Sequence, residues 1–243
     1  MRKRINLLDN AIDKLLNFKA HVLIFEVLIG FFLNLVSFIL FIKLRGETFE
    51  KELTAFDNTI WHFFYALRST PLTKIMIAFS NLGGELSVVI LIILSILFFV
   101  KHYHREAFLL TFLFAMSTLL DSFLKQITQR PRPYIAPLVA ETSFSFPSGH
   151  AMNSLVFYMA IAYFTYQILR KKKLSILILI GFGALIFMIG TSRVYLGVHY
   201  ATDVVAGYII GFWWLLTVIV LEKTLILFKL YSQSSHSSPT KKR

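Results

Sequence analysis

Long apolar blocks separated by short polar ones set the pattern of this chain. A helix needs about 20 predominantly apolar residues to cross the hydrocarbon core of a bilayer. Six stretches supply them, over residues 20–42, 86–100, 107–124, 151–169, 174–190 and 204–221, the second with room to begin earlier. The pattern predicts an all-α integral membrane protein with six transmembrane helices.

Two further segments carry apolar residues at helical spacing beside a polar face. Within residues 1–19 these are Ile5, Leu8, Ile12, Leu15 and Leu16, which predict an amphipathic helix on the inner surface. Between the first two spans, Phe56, Ile60, Phe63, Phe64 and Leu67 share one face, and Trp61 and Tyr65 suit the membrane interface. That helix either packs on the bundle or covers a site as a lid. Residues 232–243 are Ser-rich and basic and are expected to form a disordered cytoplasmic tail. No Pro/Gly/Ser-rich linker divides the chain, so a single domain over 1–243 is expected.

Composition strengthens the membrane reading. Hydrophobic residues make up 56% of the chain, whereas charged ones make up only 16%, too few to clothe a soluble domain of this length. The net charge of +12 would suit nucleic acid or an anionic membrane surface. Much of the excess sits in short clusters beside the apolar runs: Arg2-Lys3-Arg4, Arg170 to Lys173, and Lys241-Lys242-Arg243. That distribution anchors membrane helices and argues against nucleic acid. With the N-terminus inside, 16 of the 25 Lys and Arg residues fall on the cytoplasmic side. Both termini are then cytoplasmic, and the loops at 143–148 and 191–203 face outward across the cell membrane. The basic N-terminus precedes an apolar run without a small-residue cleavage site, which predicts a retained helix. With no cysteine, disulfides, thiolate nucleophiles and Cys-ligated metals are excluded.

Three polar blocks interrupt the apolar second half. Lys125 to Pro133 leaves the third span, Phe146-Pro147-Ser148-Gly149-His150 enters the fourth, and Ser192-Arg193 with His199 and Asp203 joins the fifth to the sixth. A charge at the bilayer centre costs at least about 2.5–3.5 kcal/mol, so these blocks belong at helix ends. Six spans put all three ends on the outer side. Lys125, Arg132 and Arg193 can meet there around an anion, the arginines with paired N–H donors and the lysine as a compact charge. Ser148 and Gly149 open the fourth helix, whose free N–H groups and dipole also favour an anion. Ser148 either caps that helix or donates to a phosphate.

His199 and Asp203 stand four apart, on one face if the sixth helix begins near His199. The carboxylate would then hold one ring nitrogen and leave the other free to attack phosphorus, with His150 as the proton donor. Asp121, four residues before Lys125, reads as its structural ion-pair partner. No His/Asp/Glu cluster has metal-ligand spacing, and no metal or cofactor is expected. Glu26, within the first span, calls for snorkelling or a partner helix. Gly83-Gly84 marks a bend.

The blocks Lys125-x6-Arg132-Pro133, Pro147-Ser148-Gly149-His150 and Ser192-Arg193-x5-His199-x3-Asp203 resemble the three-part signature of the type 2 phosphatidic acid phosphatase superfamily. Their order and spacing agree throughout, over residues 125–203. The resemblance implies a metal-independent phosphatase with a phosphohistidine intermediate: His199 as nucleophile, Asp203 as its partner, His150 as general acid. It implies phosphate binding by Lys125, Arg132, Ser148, Gly149 and Arg193. The substrate would be a membrane lipid phosphate, either undecaprenyl pyrophosphate, phosphatidylglycerol phosphate or phosphatidic acid, with the outward site favouring the first. Two alternatives remain at this stage: a lipid phosphotransferase, and a non-catalytic lipid-phosphate transporter or binding protein. Oligomeric state is not legible in the residues.

Overall fold

The computed structural model describes residues 2–47, 51–133 and 136–237. All regular structure among them is helical: α1 (Arg2–Glu47), α2 (Lys51–Ala66), α3 (Thr70–Gly83), α4 (Glu85–Val100), α5 (His104–Thr128), α6 (Gly149–Leu169), α7 (Lys172–Tyr195) and α8 (Ala201–Ser237).

Each of the six expected spans lies on one of these helices. Among the described residues, four helices are individually long and apolar enough to cross a bilayer, α1 from Ala20, α5, α7 and α8, with α3 and α4 forming one further span if they cross together as a bent pair. The expected fourth span, α6, is not among these. It packs against α3, α5 and α7, and ten of its residues are buried. A helix packed among others can carry Asn153, Ser154 and Tyr158 because protein groups, rather than lipid, meet them. Lipid-facing helices show the opposite pattern, with Phe108, Leu119, Leu177 and Ile180 all exposed.

The segment expected to lie separately over 1–19 is continuous with the first span in α1. Helix α8 ends at Ser237, and residues 238–243 of the expected tail lie outside the described ones.

The chain divides into two compact units. The smaller holds residues up to Val36 and from Leu216 onward. Here Asn34 Nδ2 donates to Thr217 Oγ1 at 2.7 Å, and Lys223 pairs with Glu26, which supplies the partner that a carboxylate in an apolar helix requires. The larger unit, Ser37–Leu215, contains every residue of the three polar blocks. The pairs α6–α7, α5–α6, α3–α7 and α4–α5 dominate its packing.

Three helix ends shape that unit's polar end. Pro131 follows closely on the left-handed Gln129 (φ 49°), and α5 stops at Thr128. Gly197 takes φ +75° just past α7, a conformation that favours glycine, and a Cβ there would fall 2.5 Å from Arg68 Nη2. Arg68 donates to the carbonyls of Tyr195 and Ala136, tying the α2–α3 turn to the end of α7 and to the α5–α6 loop. Finally, α3 and α4 meet at Gly84 with a bend of 42°. A Cβ at Gly84 would lie 2.8 Å from His150 Nε2, so the expected bend also makes room for an imidazole.

Candidate active site

All eight residues singled out by spacing occupy one end of the larger unit. Lys125 sits in the last turn of α5, Ser148 precedes α6, Gly149 and His150 open it, and Arg193 ends α7. Arg132 and His199 come from loops, and Asp203 from the first turn of α8.

His199 is almost fully buried. Arg132 Nη1 lies 3.1 Å from its Nε2, which fits a ring whose Nε2 carries a lone pair and whose Nδ1 carries the proton. Burial lowers its pKa well below the ordinary imidazole value, and the cations Arg132, Arg193 and Lys125 lower it further. The neutral form of the ring therefore dominates at neutral pH.

The expected direct His199–Asp203 hydrogen bond is corrected by the geometry. Helix α8 begins at Ala201, so His199 lies outside it, and the Nδ1–Oδ2 separation is 3.6 Å. Ser145 stands between them, its hydroxyl donating to Asp203 Oδ2 at 2.5 Å and lying 3.4 Å from His199 Nδ1. Asp203 also accepts from the backbone N–H of Tyr200 at 2.9 Å, a carboxylate closing the first turn of its own helix.

The cations are arranged around carboxylates. Lys125 Nζ donates to Asp121 at 2.8 Å, as the spacing predicted. Glu141 accepts from Arg193 and lies 3.5 Å from Arg132, so one carboxylate spans the two arginines. Arg193 also donates to Ser80 Oγ at 2.6 Å. Three buried polar atoms in this cluster lack partners: Asp121 Oδ1, Ser148 Oγ and Arg193 Nε. Ser148 makes no side-chain cap bond, so the capping role weighed for it is not the one its geometry shows. A cavity of about 280 Å³ adjoins the cluster, lined by His150, Arg193, Glu141, Ser80, Asn81 and Glu85 among others. Gly149 is pressed against Asp121, where a Cβ would fall 2.5 Å from Oδ2. Among the described residues, no group of three His, Asp or Glu side chains is placed to hold a metal.

A cluster that gathers three cations, two histidines and an unpartnered hydroxyl suits an oxyanion of high charge. The model of the PAP2 superfamily matches residues 106–226 of this chain. Phosphatidylglycerophosphatase B of Bacillus subtilis is 35% identical over 180 residues, covering 72% of this chain and 87% of that one. The chain belongs to the PAP2 superfamily. Its backbone also superposes on the crystal structure of a transmembrane PAP2 type phosphatidylglycerolphosphate phosphatase from Bacillus subtilis. The TM-score there is 0.75 at 30% identity, over 79% of this chain and 96% of that one. Lipid A 4'-phosphatase of Bacteroides thetaiotaomicron is 32% identical over 177 residues, covering 65% of this chain and 73% of that one. The chain is thus a multi-pass membrane phosphatase.

Several residues of this PAP2 site escaped the reading by spacing. Glu141 and Ser145 lie in a loop without period, where nothing signals an inward carboxylate or hydroxyl. Arg130 stood inside the first polar block but carried no role; it bridges Asp57 and Asp203 at 2.8 and 2.5 Å. Asp57 comes from α2, whose faces the apolar spacing misassigned. Phe56, Phe63 and Leu67 are exposed, whereas Asp57 and Trp61 are buried. Apolar residues of a membrane-bound helix can face lipid, so its protein side is free to be polar. Asp57 also accepts from the backbone N–H of Thr202 at 3.0 Å and from its hydroxyl at 2.6 Å, which fastens α2 to the start of α8.

Proposed function

We propose that this protein is a metal-independent lipid phosphatase that works through a phosphohistidine at His199, at the outer face of the cell membrane. The reading includes both termini in the cytoplasm and one catalytic domain over the chain. The observation that carries it is the approach of Arg132 to within 3.1 Å of His199 Nε2. An anion held by that guanidinium would rest beside the nucleophilic lone pair.

In the first step Nε2 of His199 bonds to phosphorus and the phosphorus–oxygen bond to the lipid breaks. Protonated His150 gives its proton to the departing oxygen; the charge of the bound phosphate favours that protonated form. Arg132, Arg193, Lys125, Ser148 and the N–H of Gly149 hold the phosphoryl oxygens, whose charge spreads in the transition state. Neutral His150 then takes a proton from water, the water oxygen bonds to phosphorus, and the bond to Nε2 breaks. Phosphate leaves and both imidazoles return to their starting states. Glu141, which spans the two arginines, yields its place to the substrate.

The similarity to phosphatidylglycerophosphatase B favours phosphatidylglycerol phosphate as substrate, and the outward site favours undecaprenyl pyrophosphate. Detergent-purified protein in EDTA is expected to release phosphate from either lipid, and His199→Ala to form no phosphoenzyme. Activity that only an added metal restores would contradict the mechanism. A comparison of kcat/KM across the two lipids and phosphatidic acid decides the substrate, and equal values would remove the preference. Because the chain has no cysteine, single cysteines placed at Ser143 and Lys171 report orientation through an impermeant maleimide. Labelling at Lys171 but not at Ser143 in intact cells would reverse the topology.

A further inference from the structure

Helix α2 lies outside the segment that the family model matches, yet its Asp57 reaches the surroundings of the nucleophile. Asp57 is 1% exposed and accepts from Arg130 Nη2, from the Thr202 hydroxyl and from the Thr202 N–H. Arg130, itself buried, donates through Nη1 to Asp203 at 2.5 Å and to Thr202 Oγ1 at 2.8 Å, and its guanidinium lies 4.3 Å from the Tyr200 ring centroid. Asp203 in turn receives the Ser145 hydroxyl that lies against His199 Nδ1. A connected chain of buried groups therefore runs from α2 to the ring.

We propose that Asp57 is a positioning residue for His199, acting through Arg130 and Asp203. The inference rests on the reading of His199 as the nucleophile. Its physical basis is charge balance. Two carboxylates share one guanidinium, so the cluster is net negative. When Nε2 bonds to phosphorus the imidazole gains positive charge, and a net negative cluster behind Nδ1 stabilises it. Without Asp57, Arg130 would neutralise Asp203 alone, and the developing charge would face a neutral pair. Asp57 also fixes the guanidinium, so Arg130 cannot swing and draw Asp203 away from Ser145. Four buried partners with complementary donors and acceptors make that geometry rigid.

The test is single-turnover phosphorylation with a phosphate-labelled lipid, comparing wild type, Asp57→Asn, Arg130→Gln and the double variant, with His199→Ala as the blank. Asp57→Asn is expected to form phosphoenzyme at full amplitude but at least tenfold more slowly, with KM within about twofold of wild type. The double variant is expected to be no slower than Arg130→Gln alone, because Asp57 acts through that side chain. Asp57→Glu, which keeps the charge, should recover part of the rate. An unchanged rate, or a reduced amplitude at an unchanged rate, overturns the proposal, the latter reducing Asp57 to an anchor for α2. If Asp57→Asn does not fold, Thr202→Val deletes one of the bonds on Asp57 and should slow the same step about threefold; an unchanged rate again overturns it. Wild type without a His199-dependent phosphoenzyme would overturn the nucleophile reading and this inference with it.

Discussion

Gly149→Ala tests how tightly the anion site is built. The added methyl would fall 2.5 Å from Asp121 Oδ2 and 2.9 Å from its Cγ, closer than carbon approaches these atoms. Asp121 cannot simply step aside. It is 7% exposed and holds Lys125 at 2.8 Å. If the carboxylate swings away, a buried ion pair breaks, at a cost of about 3–5 kcal/mol. Membrane bundles of this kind gain little from exposed surface, so the loss should appear directly in stability. We expect Gly149→Ala to lower the thermal midpoint in detergent and to lower kcat/KM, since Lys125 loses its anchor. The discriminating variant is Asp121→Ala in the Gly149→Ala background. It removes the atoms that clash, so the double variant should be more stable than the sum of the two single losses by at least about 1 kcal/mol. Simple additivity would refute the steric argument, as would Gly149→Ala with wild-type stability and rate.

Other consequences follow from the same geometry. Ser148→Ala should leave stability within about 0.5 kcal/mol of wild type, because the hydroxyl caps nothing, yet slow turnover roughly 10- to 100-fold if it bonds a charged phosphate; a destabilised but fully active variant would restore the capping role. The acid limb of the kcat/KM profile should lie below the ordinary imidazole value of about 6.5, because burial and then the cations hold His199 neutral as pH falls. Arg132→Gln removes one of those cations and should move that limb to higher pH; no shift, or a shift downward, would contradict the electrostatic account. The same depressed pKa means that the unfolded chain binds a proton at His199 that the folded chain refuses. Its contribution to stability is present above about pH 6.5 and is lost progressively as pH falls below that value, which thermal melts across the range would show. Glu141→Gln takes a competing charge from Arg193 and Arg132, so inorganic phosphate should inhibit it at lower concentration than wild type; unchanged inhibition would mean that Glu141 does not share the anion's place.

The primary structure by itself determined the class of the molecule and singled out the polar groups that meet at one end of its larger unit. Apolar runs long enough for a bilayer are a local property, visible without knowing what packs on what. The blocks from Lys125 to Asp203 also carry their chemistry in residue type and spacing, and the predicted ion pair of Asp121 with Lys125 needed only four positions on one helix. What packs against a helix is not local. Hydropathy marked α6 as a span without showing that α3, α5 and α7 pack against it, and it put Phe56 and Phe63 on the packed face of α2, although both are exposed. In a membrane an apolar face is as content with lipid as with protein, so apolar spacing alone cannot tell the two apart. Tertiary structure alone decided that Ser145 stands between His199 and Asp203, that Glu141 spans two arginines, and that Asp57 meets Arg130 73 positions along the chain. Those partners come from different helices and an irregular loop, and only the closing of the bundle brings them within bonding distance.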